Sequence, residues 1–225
     1  MENLMKKKIA IIGGTGKEGK GLAYRWAKAG FTVIIGSRTI EKAEKAVIEL
    51  MEEKSLHGVD LRFAENHEAA SIADVVVITI PFAYHVETLE SLKPQLAGKI
   101  LIDVTVPLVP PKVSMVQMPA EGSAGLQAQA ILGSDTVVVT AFQNVSFENL
   151  LSDDEPECDI LVCGKTKEAR EVVLGLIQAA GLVGWDAGYL ENSVVVEGLT
   201  SILIGLNKKH GVKSSGIRIT GITRE

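Results

Sequence analysis

Three glycines raise the first chemical expectation. Gly14, Gly16 and Gly19 stand between the apolar run at residues 8–12 and a segment of helical character at residues 19–29. Strand, glycine loop and helix in that order is the context in which such a spacing cradles phosphates. Gly14 permits the tight turn, Gly16 lets the backbone approach a pyrophosphate, and Gly19 allows close helix–strand contact. Thr15, Lys17 and Glu18 complete the loop, and free amides at the helix N-terminus face the anion. Glu18 suits the positive end of the helix but must turn away from a phosphate, which leaves the binding to the backbone. A glycine-rich turn without a ligand is the alternative.

About 20 residues after such a loop, an NAD site places an Asp or Glu to accept from the ribose 2′-hydroxyl. This chain has Gly36-Ser37-Arg38 there, with Lys42 four residues further on. A hydroxyl, a guanidinium and an ammonium around one point form a site for a doubly charged 2′-phosphate. The expectation is NADP. The alternative is that Arg38 and Lys42 are only solvated.

The remaining strand ends carry little acid–base chemistry. They read Thr79-Ile80-Pro81-Phe82, Asp103-Val104-Thr105-Val106-Pro107 and Phe142-Gln143-Asn144-Val145-Ser146. A dehydrogenase of alcohols or hydroxy acids needs a placed acid or base; these ends suit a flat ring receiving a hydride. Asp103 is the ionisable exception and is expected to be buried. Tyr24-x-x-x-Lys28 matches a dehydrogenase pair but lies on the first helix, away from any nicotinamide. The four histidines show no metal spacing, and His85 is expected on a helix surface. Asn144-Val145-Ser146 is a glycosylation sequon, without meaning in a protein that is not exported.

These residues need elements to hold them. Apolar runs at residues 8–12, 31–35, 74–80, 99–104 and 136–142 alternate with helical segments at 19–29, 40–54 and 85–92. Solid Ile/Val strands alternating with helices imply a parallel sheet covered on both faces. The expected fold is α/β, a Rossmann-type doubly wound sheet with a small C-terminal α/β domain. Residues 1–145 are expected to form the NADP-binding domain and residues 146–225 the appendage. In that appendage, strands are expected at 159–163 and 183–186, helices at 167–179 and 190–209, and a last strand at 217–222. Residues 107–125, rich in Pro, Gly, Met and Ser, are expected as a site-lining loop, and 148–157 as an acidic loop.

The 225 residues carry a formal charge of −5 with no basic block, which argues against nucleic acid as a partner. No stretch approaches a membrane span, and no signal peptide is visible. Cys158 and Cys163 read as buried thiols in a reducing compartment. The expected setting is cytoplasmic and the expected partners are small-molecule co-substrates. A homodimer is allowed, though no residue specifies it.

Taken together, the chain resembles the NADPH-dependent coenzyme F420 reductases. The matching pieces are Ile11-Ile12-Gly13-Gly14-Thr15-Gly16, Gly19-Lys20-Gly21-Leu22-Ala23, Gly36-Ser37-Arg38 with Lys42-Ala43, and Thr79-Ile80-Pro81. Val162-Cys163-Gly164, Asp186-Ala187-Gly188 and Glu197-Gly198-Leu199-Thr200 follow, so the likeness runs almost end to end. It implies hydride transfer between NADP(H) and the deazaflavin coenzyme F420, from nicotinamide C4 to deazaflavin C5, in a cleft closed by the C-terminal domain. By the same resemblance Thr15, Gly16, Lys17 and Glu18 contact the pyrophosphate, and Ser37, Arg38 and Lys42 hold the 2′-phosphate. Phe82 and Val86 sit beside the cofactor, and residues 143–146 approach the two rings, with Asn144 or backbone amides meeting developing charge. Lys208, Lys209, Lys213 and Arg218 would meet the acceptor's anionic tail, or else only favour a helix C-terminus. Two other functions stay open on the residues alone: an NADPH-dependent flavin or ferric reductase, and a non-enzymatic NADP(H)-sensing module.

Overall fold

The computed structural model describes residues 2–154 and 156–223. The strands are β1 (Lys8–Ile12), β2 (Thr32–Ser37), β3 (Leu61–Glu65), β4 (Val75–Ile78), β5 (Ile100–Asp103), β6 (Val137–Thr140), β7 (Asp159–Gly164) and β8 (Val183–Asp186). The helices are α1 (Glu2–Met5), α2 (Lys17–Lys28), α3 (Ile40–Glu53), α4 (Asn66–Ile72), α5 (His85–Leu96), α6 (Ala124–Leu132), α7 (Phe147–Leu151), α8 (Lys167–Ala179) and α9 (Ser193–His210). All eight strands join one sheet in the order β3-β2-β1-β4-β5-β6-β7-β8. Every neighbouring pair is parallel except β6 and β7, which run antiparallel.

The central strands are mostly apolar because both faces of the sheet are covered there. Ile9 and Ile11 of β1 pack with Trp26 of α2, Leu50 of α3 and Leu176 of α8 in one core. Their neighbours Ala10 and Ile12 pack on the other face with Ala69 of α4, Leu92 of α5 and Ala128 of α6. Successive side chains of a strand point to opposite faces, so one run of Ile and Val feeds two cores.

Several elements depart from the expectations. The expected 107–125 loop ends in α6, whose N-cap Ser123 accepts from the amide of Leu126. The expected acidic loop begins as the short helix α7, capped by Ser146. β3 and α4 had no expectation. The tail at 217–222 is not a strand: Ile217 O accepts from Asp159 N at 2.8 Å, and Ile219 N donates to Asp159 Oδ2 at 2.8 Å. β6 pairs with β7 only at Cys163 and Gly164, so the tail satisfies the start of β7 without building a ladder.

Strand order reverses at β1, which has β2 on one side and β4 on the other. In open α/β sheets the crevice beyond the strand C-termini at such a reversal is where ligands bind. The glycine loop follows β1, Ser37-Arg38 ends β2, and Thr79-Ile80-Pro81 follows β4. One crevice therefore gathers all three.

Candidate functional site: a dinucleotide crevice at the strand ends

The glycine loop is laced to both neighbouring strand ends. Gly14 N donates to Ile11 O at 3.2 Å and Gly36 O at 3.1 Å, while Thr79 N donates to Ile12 O at 3.0 Å. Gly13 turns with φ +71°, and a Cβ there would lie 2.5 Å from Ile80 Cγ2. A Cβ at Gly19 would lie 2.5 Å from Gly14 Cα, so α2 closes on the loop at van der Waals contact. Gly16 differs. A Cβ there would meet only Gly13 O, at 3.8 Å, so no protein contact requires glycine at 16. Gly16 is the N-cap of α2 without a side-chain cap, and the first helical amides are left facing an open cradle. That glycine-lined helix start fits a pyrophosphate.

Glu18 takes an unexpected state. One carboxyl oxygen is buried with no hydrogen-bond partner among the described residues, and burial pushes the pKa up to about 8. The residue as a whole is half-buried, but the titrating oxygen lies inside, and its environment decides the charge. A neutral Glu18 removes the conflict between a carboxylate and a bound phosphate.

At the end of β2, Ser37 is buried while Arg38 and Lys42 are exposed, Lys42 in the first turn of α3. Neither cation forms an ion pair among the described residues. The Arg38 guanidinium lies 5.9 Å from the ring centroid of Tyr84, which spans the mouth from β2 to the turn after β4. That turn holds Phe82, half-buried and stacked on the His85 ring at 5.9 Å. Val86, on α5, is exposed.

Further along the sheet, the strand ends are buried and polar. Gln143 Nε2 donates to Asp103 O at 2.7 Å, and Asn144 Nδ2 donates to Asp159 O at 2.5 Å. Among the described residues, their other ends, Gln143 Oε1 and Asn144 Oδ1, are buried without a partner, as is the hydroxyl of Thr105. Such orphans call for a water or a ligand. The β5 and β6 ends therefore carry an unusual concentration of unused hydrogen-bonding capacity.

Two buried groups escaped the sequence reading. His85 is wholly buried rather than on a surface. Its Nε2 meets Asp103 Oδ2 at 2.8 Å and its Nδ1 meets Gln127 Oε1 at 3.1 Å. Burial alone lowers its pKa, but the Asp103 carboxyl and the Gln127 amide outweigh it, and the net direction is upward. The stripe His85, Leu89, Leu92, Leu96 was the missed signal, because His85 continues the apolar face of α5. Glu197 is the other. Its carboxyl accepts from the amides of Ala124 at 2.7 Å and Gly125 at 3.1 Å, occupying the N-terminus of α6. Burial pushes its pKa up to about 8 against the pull of those amides. A single acid inside the apolar stretch Val194–Leu203 was the available clue. Asp103, as expected, is fully buried.

Tyr24 and Lys28, set aside as a catalytic pair, both bond Asp153 instead. The described residues hold no cluster of metal ligands, and among them no helix is long and apolar enough to cross a membrane.

Comparison with known proteins agrees with this geometry. Residues 8–107 match the family model described as NADP oxidoreductase, coenzyme F420-dependent. The F420-dependent NADP reductase of Methanocaldococcus jannaschii is 43% identical over 222 residues, spanning 96% of this chain and 99% of that protein. The protein of the same name from Methanothermobacter thermautotrophicus is 40% identical over 232 residues, covering all of both chains. A crystal structure of a candidate F420-dependent NADP reductase from Arthrobacter sp. FB24 superposes with TM-score 0.77 at 24% identity, over 95% of this chain and 99% of that one. The last shows the shared fold, and the archaeal relatives show kinship along the whole chain. The chain belongs to the coenzyme F420-dependent NADP oxidoreductase family.

Proposed function

We propose that this protein is an oxidoreductase that passes a hydride between NADP(H) and coenzyme F420. The observation that carries the cofactor half is the pairing of an open Gly16 cradle with Ser37, Arg38 and Lys42 one strand away, the two cations without ion-pair partners among the described residues. The acceptor half rests on the relatives named F420-dependent NADP reductase.

When bound, NADP(H) and coenzyme F420 supply the redox chemistry themselves, and the protein supplies position. In this reading the amides at the N-terminus of α2 hold the pyrophosphate, with Thr15, Gly16 and Lys17 around it. Neutral Glu18 avoids repelling it. Ser37, Arg38 and Lys42 hold the 2′-phosphate, and Phe82 and Val86 flank the ring end. Gln143 and Asn144, each with one amide pole tied to a backbone carbonyl, keep the opposite pole fixed for a ring N–H or a water. Residues 1–145 form the NADP unit in this proposal, and 146–225 close the deazaflavin side. Rings held within roughly 3–3.5 Å gain most of their rate from orientation. The buried strand ends exclude water from the transfer.

Mixing the protein with NADPH and oxidised coenzyme F420 tests this. Loss of the deazaflavin's visible absorbance, faster with NADPH than with NADH and faster than with FMN or ferric iron as acceptor, is the expected result. Clean NADPH binding with no bleaching sinks the acceptor assignment and favours a sensing module.

A further inference from the structure

We infer that Arg25 is a positioning residue for hydride transfer, acting by clamping the β6–α7 connection onto α2. The inference rests on the proposed function, because it takes residues 143–146 to flank the reacting rings.

The clamp is built along one side of α2. Just before residues 143–146, Phe142 is held in the left-handed region at φ +74°. A bulky residue keeps such a backbone only when its surroundings over-determine it. Here the ring is buried edge-to-face on Trp26, with centroids 5.7 Å apart. Just after residues 143–146, α7 lies across α2. A Cβ on Gly21 would come within 2.6 Å of Leu150 Cβ, so the two helices touch through that glycine. Arg25, buried, then gathers the carbonyls that end α7. Its Nε donates to Leu150 O at 2.9 Å, and its Nη2 to Asn149 O at 2.7 Å, Ser152 O at 2.6 Å and Asp154 O at 3.2 Å. Lys17, at the phosphate-loop end of the same helix side, sets its ammonium 4.7 Å from the Phe147 ring centroid.

Residues 17, 21, 25 and 28 follow one another at three- and four-residue steps, which places them on one side of α2. The helix that presents its N-terminus to the pyrophosphate thus also fixes both ends of the segment facing the rings. The separation between the phosphate cradle and residues 143–146 is set by one rigid element. A guanidinium suits this because one planar fork can satisfy several carbonyls, which a lysine ammonium cannot do in the same plane.

Two variants test it from opposite directions: Arg25→Lys releases the carbonyls, and Gly21→Ala wedges α7 away. Alanine favours a helix over glycine, so the second variant keeps α2 folded even if the first does not. For each folded variant, NADPH affinity by its fluorescence, kcat with coenzyme F420, and the primary isotope effect with NADPH deuterated at the transferred position are measured. The expected result is an NADPH Kd within about twofold of the parent, with kcat lower by about tenfold or more. The isotope effect should rise, since transfer between misplaced rings becomes rate-limiting. A merely structural role lowers the amount of active protein and leaves the isotope effect unmoved; that outcome in both variants overturns the inference. Absence of turnover by the parent overturns the acceptor reading, and this inference with it. Parent turnover with unaltered variants overturns the inference alone.

Discussion

Arg38 and Lys42 reach solvent without ion-pair partners among the described residues, while Ser37 beside them is buried, so the two cations are available to a ligand. Each charge-assisted contact to a 2′-phosphate is worth about 1.5–3 kcal/mol. Arg38→Ala should therefore raise the NADPH Kd roughly ten- to a hundredfold, and leave the NADH Kd within about twofold. Equal losses for both dinucleotides would show that Arg38 does not read the phosphate. Glu18 gives a second test at the same scale. Burial pushes its pKa up to about 8, so it is neutral at pH 7 and gains charge beside the phosphate loop above pH 8. NADPH affinity should fall between pH 7 and 9 in the parent and stay flat in Glu18→Gln. The same fall in both proteins would remove Glu18 from the account.

The glycine loop separates two reasons for a missing side chain. Gly19 is required by the fold, because its Cβ would strike Gly14 Cα; Gly19→Ala should cost about 1–3 kcal/mol as overpacking, read as a lowered Tm. Gly16 meets nothing nearer than 3.8 Å; Gly16→Ala should cost about 1 kcal/mol or less, the N-cap difference, yet weaken NADPH binding strongly. If Gly16→Ala binds NADPH as the parent does, the cradle is not the pyrophosphate site. These elements also show what the residues alone disclosed. β1, β2, β4, β5 and β6 were legible because strands buried on both faces are solid in Ile and Val. β3 was not, since Leu61, Phe63 and Glu65 sit at the sheet edge with little burial. α6 hid behind the Pro- and Gly-rich stretch before it, and the reversal of β7 was invisible because a doubly buried strand reads alike in either direction. The loop and the 2′-phosphate residues were legible as local spacings. Arg25 was not, because its partners are backbone carbonyls, which carry no residue identity.

At the scale of the whole molecule, three groups that titrate between acid and mildly alkaline pH are shifted upward by their surroundings. Glu18 and Glu197 are raised from 4.5 to about 8, and His85 is raised from 6.5. A group whose pKa is higher in the folded protein holds an extra proton there. Its stabilisation is full below the unfolded pKa and is lost as pH rises through the folded one. For the two glutamates that loss runs from about pH 4.5 to about 8, and His85 adds to it above pH 6.5. The depressed carboxyls Asp153, Asp60, Asp186 and Glu49 act oppositely, but their contribution is present above about pH 5 and lost only on acidification. Between pH 5 and 8.5 the raised groups therefore set the slope, at up to about 1.4 kcal/mol per pH unit for each proton. Tm should be highest near pH 5 and fall steadily toward pH 8.5. Glu197 faces Asp103, which raises its pKa, and His85, which lowers it, so its proton is the one most tied to the core. Glu197→Gln should melt lower than the parent at pH 5, since one of the Ala124 and Gly125 amides loses its acceptor. Its Tm should nonetheless fall less steeply with pH, so that the two curves converge toward pH 8.5. Parallel curves would mean that Glu197 is already a carboxylate in the folded protein, held by the two amides at the start of α6.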